Sequence, residues 1–318
     1  LGGGLLMLSR TASNLYWTGR YIERAHFLAR LVEATTRLSS LPTSFGGDPT
    51  AWSGALATAG LLHAFQAVHG SPSEAAVVKF LTVDTANPAS ICTCIENARN
   101  NARAVRTAIT QEAWEALNSA WHEIISRAQD PTSSMPGDFT EAVQRAVATF
   151  DGAAQRTMLR NEPYCFLRLG ASVERADATA RLLDVKYHLL LPRDEPAGGG
   201  LDYFQWAALL RTVSALTAYR LLYRGAMKPW LVAELLIFND RMPRSLISCY
   251  VDIVEVLDQL AETSGRRGPA HRHATRVLLQ LKETDVDMVF TSGLHEFLTN
   301  FIAGNNQLGA AISEQFAF

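Results

Sequence analysis

Gly19-Arg20-Tyr21-Ile22-Glu23-Arg24-Ala25-His26-Phe27-Leu28-Ala29-Arg30-Leu31 returns later in the chain in altered form. The second version is Gly170-Ala171-Ser172-Val173-Glu174-Arg175-Ala176-Asp177-Ala178-Thr179-Ala180-Arg181-Leu182. The Gly, Glu-Arg-Ala and Ala-Arg-Leu elements coincide at one spacing, 151 residues. Around the first version, Leu15, Ile22, Ala25, Ala29 and Val32 recur three and four apart, the period of one helix face. The spacing predicts a helix over Ser9–Leu38. A second match follows in the same order. Asn87-Pro88-Ala89-Ser90-Ile91-Cys92-Thr93-Cys94 pairs with Met242-Pro243-Arg244-Ser245-Leu246-Ile247-Ser248-Cys249 at a spacing of 155. Two ordered matches point to an internal duplication of about 150 residues, with halves at approximately 7–160 and 161–318. The expected fold is all-α: a pseudo-twofold helical bundle with a site at the seam.

Outward from these stretches the pattern stays helical. Runs are predicted at Ala51–Val68, Pro88–Ile109, Glu112–Ala128, Glu141–Leu159, Pro163–Leu190, Tyr203–Tyr223, Pro229–Phe238, Ser245–Glu262, Ala270–Lys282 and Val286–Phe301. No alternating segment is flanked by hairpin dipeptides, so no sheet is expected. Loops are predicted at Ser39–Pro49, Pro131–Gly137 and Leu191–Gly200. The last lies inside the second half, so residues 7–318 are expected to form a single interlocked domain. Leu1-Gly2-Gly3-Gly4-Leu5-Leu6 lacks the basic start and long apolar core of a signal peptide. Residues 1–6 are read as additions upstream of a natural start near Met7.

Composition narrows the function classes. With 318 residues and 48% hydrophobic side chains, the chain buries a sizeable core without metal or disulfide staples. Lys and Arg total 29 against 31 Asp and Glu, so no basic excess favours nucleic acid or an acidic membrane. No stretch reaches the ~18 apolar residues of a membrane span. Four cysteines without a C-x-x-C pair argue against structural zinc and suit a reducing cytoplasm. Cys92 and Cys94 read as buried small hydrophobes, and His271-Arg272-His273 as surface. Phosphate-loop, dinucleotide, zinc-protease and nucleophile-elbow motifs are absent from the sequence, and no cofactor or metal is expected.

On a helical wheel, Arg20, Glu23, His26, Arg30 and Glu33 form a charged stripe opposite Ala25, Leu28, Ala29 and Val32. The second half repeats it as Glu174, Asp177, Arg181 and Asp184, with Arg24 and Arg175 at the border of each stripe. One reading is a solvated face of i,i+4 pairs. The other places the arginines and carboxylates against each other across the seam, as a structural network or a ligand site. Glu23→Gln separates these two: an unchanged melting temperature marks a functional site, and collapse marks a network. Two further candidates are helix starts. Asn87 before Pro88 reads as an N-cap, and in the second half Met242 precedes Pro243, Arg244 and Ser245; free N–H groups there, with an Arg, either are simply capped or hold a carboxylate or phosphate. Arg99, Asn101, Arg103 and Arg106 form a third group, with the arginines at i, i+4 and i+7 reading either as a solvated basic face or as a site for an anion or an acidic partner.

Met7-Leu8-Ser9-Arg10-Thr11-Ala12-Ser13-Asn14-Leu15-Tyr16-Trp17, followed by the Gly19–Ala25 stretch, resembles the alpha-E family, bacterial all-helical proteins with a Glu-Arg motif. The resemblance continues through Ala98–Arg106, Trp114–Asn118, Glu174–Asp177, Asp184–Tyr187 and Phe238–Ser245. It implies genes placed beside circularly permuted ATP-grasp proteins and transglutaminase-like proteins, and hence a pathway that makes or trims amide bonds. The expected role is an accessory or substrate-binding protein for the ATP-grasp ligase, with a transglutaminase-like protein as a second partner. The alternatives are a standalone enzyme using Glu23 or Glu174 as general base, and a purely structural scaffold. Expected ligand-binding residues are Arg20, Glu23, Arg24, Arg30, Arg99, Arg103, Glu174, Arg175, Asp177 and Arg181. Ala171 stands where the first half has Arg20, so the two halves are not expected to be equivalent sites.

Overall fold

In a computed structural model, the described residues are 2–40, 51–129, 136–189, 200–264 and 267–318. Helices α1 (Gly2–Ser39) and α8 (Glu162–Leu189) lie side by side and run parallel. Gly19 and Gly170 set their separation. Gly19 faces the Leu167 carbonyl and Gly170 faces the Tyr16 carbonyl, so each helix presents a bare backbone to the other. Farther along, Arg24 meets Glu174 and Leu31 shares a wall with Leu182, which keeps the same register.

The first half continues with α2 (Ala51–Thr58), α3 (Leu62–His69), α4 (Glu74–Thr82), α5 (Ile91–Ala104), α6 (Gln111–Gln129) and α7 (Pro136–Thr157). The second continues with α9 (Gly200–Thr212), α10 (Leu216–Leu222), α11 (Pro229–Ile237), α12 (Leu246–Ser264), α13 (Pro269–Glu283), α14 (Val286–Ser292) and α15 (Leu294–Phe316). No strand occurs among the described residues. α5 and α7 pack on α1, bridged by α6. α12 and α15 pack on α8, bridged by α13. α9 also touches α1, and α2 touches α8. A contiguous apolar core runs through both halves, from Tyr16 and Leu117 to Trp206 and Tyr250.

Corresponding turns are built alike. Asn87 N–H donates to the Asp84 carbonyl and Met242 N–H to that of Asn239. Ser90 N–H donates to Asn87 and Ser245 N–H to Met242. The Ser90 and Ser245 hydroxyls then accept from Thr93 and Ser248 N–H, capping α5 and α12. The predicted helix 51–68 breaks at Gly60, and 203–223 breaks at Ser214. Both have positive φ, +71° and +57°, and both are followed by a residue bonded back across the turn.

Several expectations change. Asn87 is not the N-cap: its side chain donates to the Phe80 carbonyl and accepts from Ala89 N–H, and α5 starts after Ser90. The 88–109 run ends at Ala104, because Val105 leaves helical geometry and Arg106 sits in a separate 3-10 turn. The last run breaks at Gly293 and resumes as α15 to Phe316. α4 was not expected: nine residues between turns offer too little periodicity. His271 is buried 3.2 Å from Asp258, and His273 Nε2 lies 2.8 Å from the Gly304 carbonyl. The surface reading therefore holds only for Arg272 among the three, because α13 is flanked by α12 and α15. Cys92 and Cys94 are buried free thiols, as expected, and so are Cys165 and Cys249. Burial pushes Cys92, Cys94 and Cys249 up to about 12, so they are poor nucleophiles. The predicted loops 39–49, 131–137 and 191–200 fall almost wholly outside the described residues.

Candidate functional site

Parallel packing of α1 and α8 in this register brings the two Glu-Arg pairs face to face, and they exchange partners. Arg175 Nη2 and Nε donate to Glu23 Oε2 at 2.8 and 3.2 Å. Arg24 Nε donates to Glu174 Oε1 at 2.6 Å, and its Nη2 to Oε2 at 3.1 Å. Each glutamate then takes a second arginine from a different source. Arg20, one turn earlier on α1, donates to Glu174 Oε2 at 2.7 Å. Arg244, from the turn before α12, donates to Glu23 Oε1 at 2.6 Å. The Glu23 and Glu174 side chains are 3% and 8% exposed.

Electrostatics follow from this pairing. Burial alone would raise Glu23, but Arg175 and then Arg244 outweigh it and hold its carboxyl well below the usual range. For Glu174, burial is likewise overcome by Arg24 and Arg20. Both carboxylates are thus fully ionised, already hydrogen-bonded and weakly basic. A general base needs a pKa near the working pH and a free lone pair, so neither glutamate suits that role.

The two faces of the seam differ. On the Glu23 face, the Arg244 guanidinium also reaches His26 Nδ1 at 2.8 Å, and Arg30 Nε approaches His26 Nε2 at 3.1 Å. Neutral imidazole has one N–H and one lone pair, so it can accept from only one arginine at a time. Burial, then Arg244, holds His26 down to about 3. Asp151 on α7 lies near this group. Desolvation, then the Glu23 charge, pushes its carboxyl up to about 6, although the residue is exposed. Beyond Arg30 a cavity of about 340 Å³ opens, also lined by Arg37 and Arg211.

On the Glu174 face, Asp177 holds the place of His26, and Arg181 Nε donates to its Oδ2 at 2.6 Å, as Arg30 does to His26. Ala89 stands where the other half has Arg244. A cavity of about 280 Å³ lies there, lined by Arg20, Arg24, Arg181, Asp177 and Ala89. This cavity presents three guanidinium groups and two carboxylates, a lining suited to holding a charged small molecule.

Of the residues expected to bind ligand, Arg20, Glu23, Arg24, Glu174 and Arg175 meet in one cluster. Asp177 and Arg181 line its open side and Arg30 lies on the opposite face. Arg99 and Arg103 stand apart. Arg99 bonds Asn118 at 2.8 Å and stacks 4.2 Å from the Trp121 ring, whereas Arg103 is exposed. The expected three-arginine stripe does not form, because Arg106 leaves the helix and sits over Trp114. Arg244 was noted at a helix start but not as a partner of Glu23. Its alignment with Ala89 was the available signal. Among the described residues no cluster of His, Cys, Asp or Glu is arranged to hold a metal ion, and no helix is long and apolar enough to cross a membrane.

The depressed His26 value carries a pH dependence. Burial and the neighbouring Arg244 charge hold it at about 3, below the ordinary histidine value of about 6.5. Its contribution is therefore complete above about pH 6.5 and is lost as pH falls toward 3. Asp151, with a raised pKa, acts in the opposite sense as pH falls through about 6. Urea denaturation from pH 7.5 to 4.5 is expected to show a His26-dependent loss of up to about 2 kcal/mol. His26→Gln is expected to remove that part of the slope. An unchanged slope in the variant would show that His26 titrates normally.

Uncharacterized proteins of Mycobacterium tuberculosis strain H37Rv and of Mycobacterium bovis are each 24% identical to this chain, across 93% of its length and 35% of theirs. The chain thus spans about a third of the length of the curated relatives it matches. No solved structure matches it. The Alpha-E family model, described as a predicted alpha-helical domain with a conserved ER motif, matches residues 7–317. The reciprocal pairs Glu23–Arg175 and Glu174–Arg24 join the two Glu-Arg stretches of a chain that belongs to the Alpha-E family.

Proposed function

We propose that this chain is an accessory, substrate-binding protein that works with a circularly permuted ATP-grasp ligase in forming or modifying amide or peptide bonds. A transglutaminase-like protein is proposed as a second partner in the same pathway, and the cytoplasm as its setting. The observation that supports binding over catalysis is the asymmetry of the seam. Both glutamates are consumed by ion pairs, yet Arg20, Arg24 and Arg181 line an open cavity beside Glu174. Arginines placed this way hold a carboxylate or phosphate through paired hydrogen bonds. The matched relatives are nearly three times as long, which fits a module that works joined to, or alongside, other machinery. The ordered turns and the spacings of 151 and 155 residues favour an origin by internal duplication, with a pseudo-twofold between the halves.

Size-exclusion chromatography of this chain with a circularly permuted ATP-grasp protein of the same genome, with and without ATP, tests the partnership. Co-elution, together with a faster ligase turnover when the chain is added, is the expected result. Separate peaks and unchanged turnover under both conditions would contradict the accessory role.

A further inference from the structure

We propose that the cavity beside Glu174 binds an α-amino acid as its zwitterion, with the ammonium group against Asp177 and the carboxylate on free N–H groups of Arg24 and Arg181. This rests on the substrate-binding reading above and names its ligand class.

The protein's other face shows what such a space accepts. There the Arg244 guanidinium lies between Glu23 and His26, 2.6 Å from one and 2.8 Å from the other. On the Glu174 face Ala89 replaces Arg244, and the corresponding space is part of the 280 Å³ cavity. The residue in His26's place is acidic: Asp177. A place that holds a cation beside a neutral ring in one half is open beside a carboxylate in the other. Asp177 has one strong partner, Arg181 on Oδ2, and its Oδ1 is buried with no partner among the described residues. An ammonium entering beside Asp177 supplies the hydrogen-bond donor that this Oδ1 lacks and adds to the single cation, Arg181, that its carboxylate now faces.

A cation alone leaves the arginines unmatched. Arg24 uses Nε and Nη2 on Glu174, and Arg181 uses Nε on Asp177. Each guanidinium has five N–H donors, so Nη donors on both remain for a carboxylate. An α-amino acid carries ammonium and carboxylate on one carbon and satisfies both sets together. Phe27 and Leu61 give the cavity an apolar wall for a side chain. The volume suits one residue, and a free amine and free acid are what an amide-forming partner joins.

The test is calorimetry of the full chain with the standard L-amino acids, then with the N-acetyl and C-amide forms of the tightest binder. At least one amino acid is expected to bind, and each blocking group to weaken it about tenfold or more. Asp177→Asn should weaken the parent amino acid about tenfold and leave the N-acetyl form unchanged. Ala89→Arg, which places in this cavity the side chain that fills the other face, should abolish binding while the melting temperature is kept. No binding by any amino acid to the unmodified protein at millimolar concentration overturns the proposal. So does equal binding of the N-acetyl form, which would mark a simple anion site. Amino-acid binding without co-elution would remove the ligase partnership and keep the pocket; co-elution without amino-acid binding would do the reverse.

Discussion

Glu23→Gln is expected to destabilise the protein by about 3–5 kcal/mol. Two arginines, Arg175 and Arg244, donate to this one carboxylate, whose side chain is 3% exposed. An amide keeps the shape but loses the charge and turns one acceptor into a donor that faces a guanidinium. Burying two cations without their counter-ion is what makes breaking such a pair costly, even where the intact pair adds little net stability. Glu174→Gln should behave similarly but more mildly, since Arg24 is 28% exposed and can regain water. Urea denaturation at pH 7.5 reads both. A loss under about 0.5 kcal/mol for Glu23→Gln would show that the network is not holding the seam together, and would return Glu23 to the list of functional groups.

Gly170→Ala is the second large effect. A methyl group there would overlap the Tyr16 carbonyl and crowd Arg20 N–H, both backbone atoms of α1 that no rotamer change relieves. α1 and α8 would have to move apart, stretching the ion pairs that depend on their spacing. Alanine gains about 1 kcal/mol of helix propensity over glycine, so the expected net loss of about 3 kcal/mol or more comes entirely from overpacking. Gly152→Ala on α7 is the control. Its added methyl meets nothing within 4 Å, so the same substitution should be neutral or stabilising. Equal stability of the two variants would mean that the close approach is not required.

The helical class was readable because apolar residues at three- and four-residue spacing persist through most of the chain. The pairing of α1 with α8 was readable in outline, because Gly19 and Gly170 sit at equivalent places in the two Glu-Arg stretches. The wheel misled in one respect. It set Arg24 and Arg175 at the border of a charged stripe, as if each helix had one packed side. α1 is contacted by α5, α7, α8 and α9, so charged and apolar sides alike are interior, and the border arginines become the cross-pairs. Helix breaks at Gly60, Ser214 and Gly293 were missed because the apolar period continues across them, and only the backbone angle at one residue interrupts the helix. The difference between the two faces was legible in principle. Arg244 against Ala89, and Arg20 against Ala171, are visible in the aligned halves, but nothing in one dimension tells that Arg244 reaches Glu23, 221 residues away.

The exchange of partners between the two Glu-Arg motifs is most directly tested by a pair of double-mutant cycles. Glu23→Gln is combined with Arg175→Met in one and with its sequence neighbour Arg24→Met in the other, and all variants are measured by urea denaturation. Reciprocal pairing predicts a coupling of at least about 1.5 kcal/mol between Glu23 and Arg175, and under about 0.5 kcal/mol between Glu23 and Arg24. A larger coupling to Arg24, or none to Arg175, would contradict it.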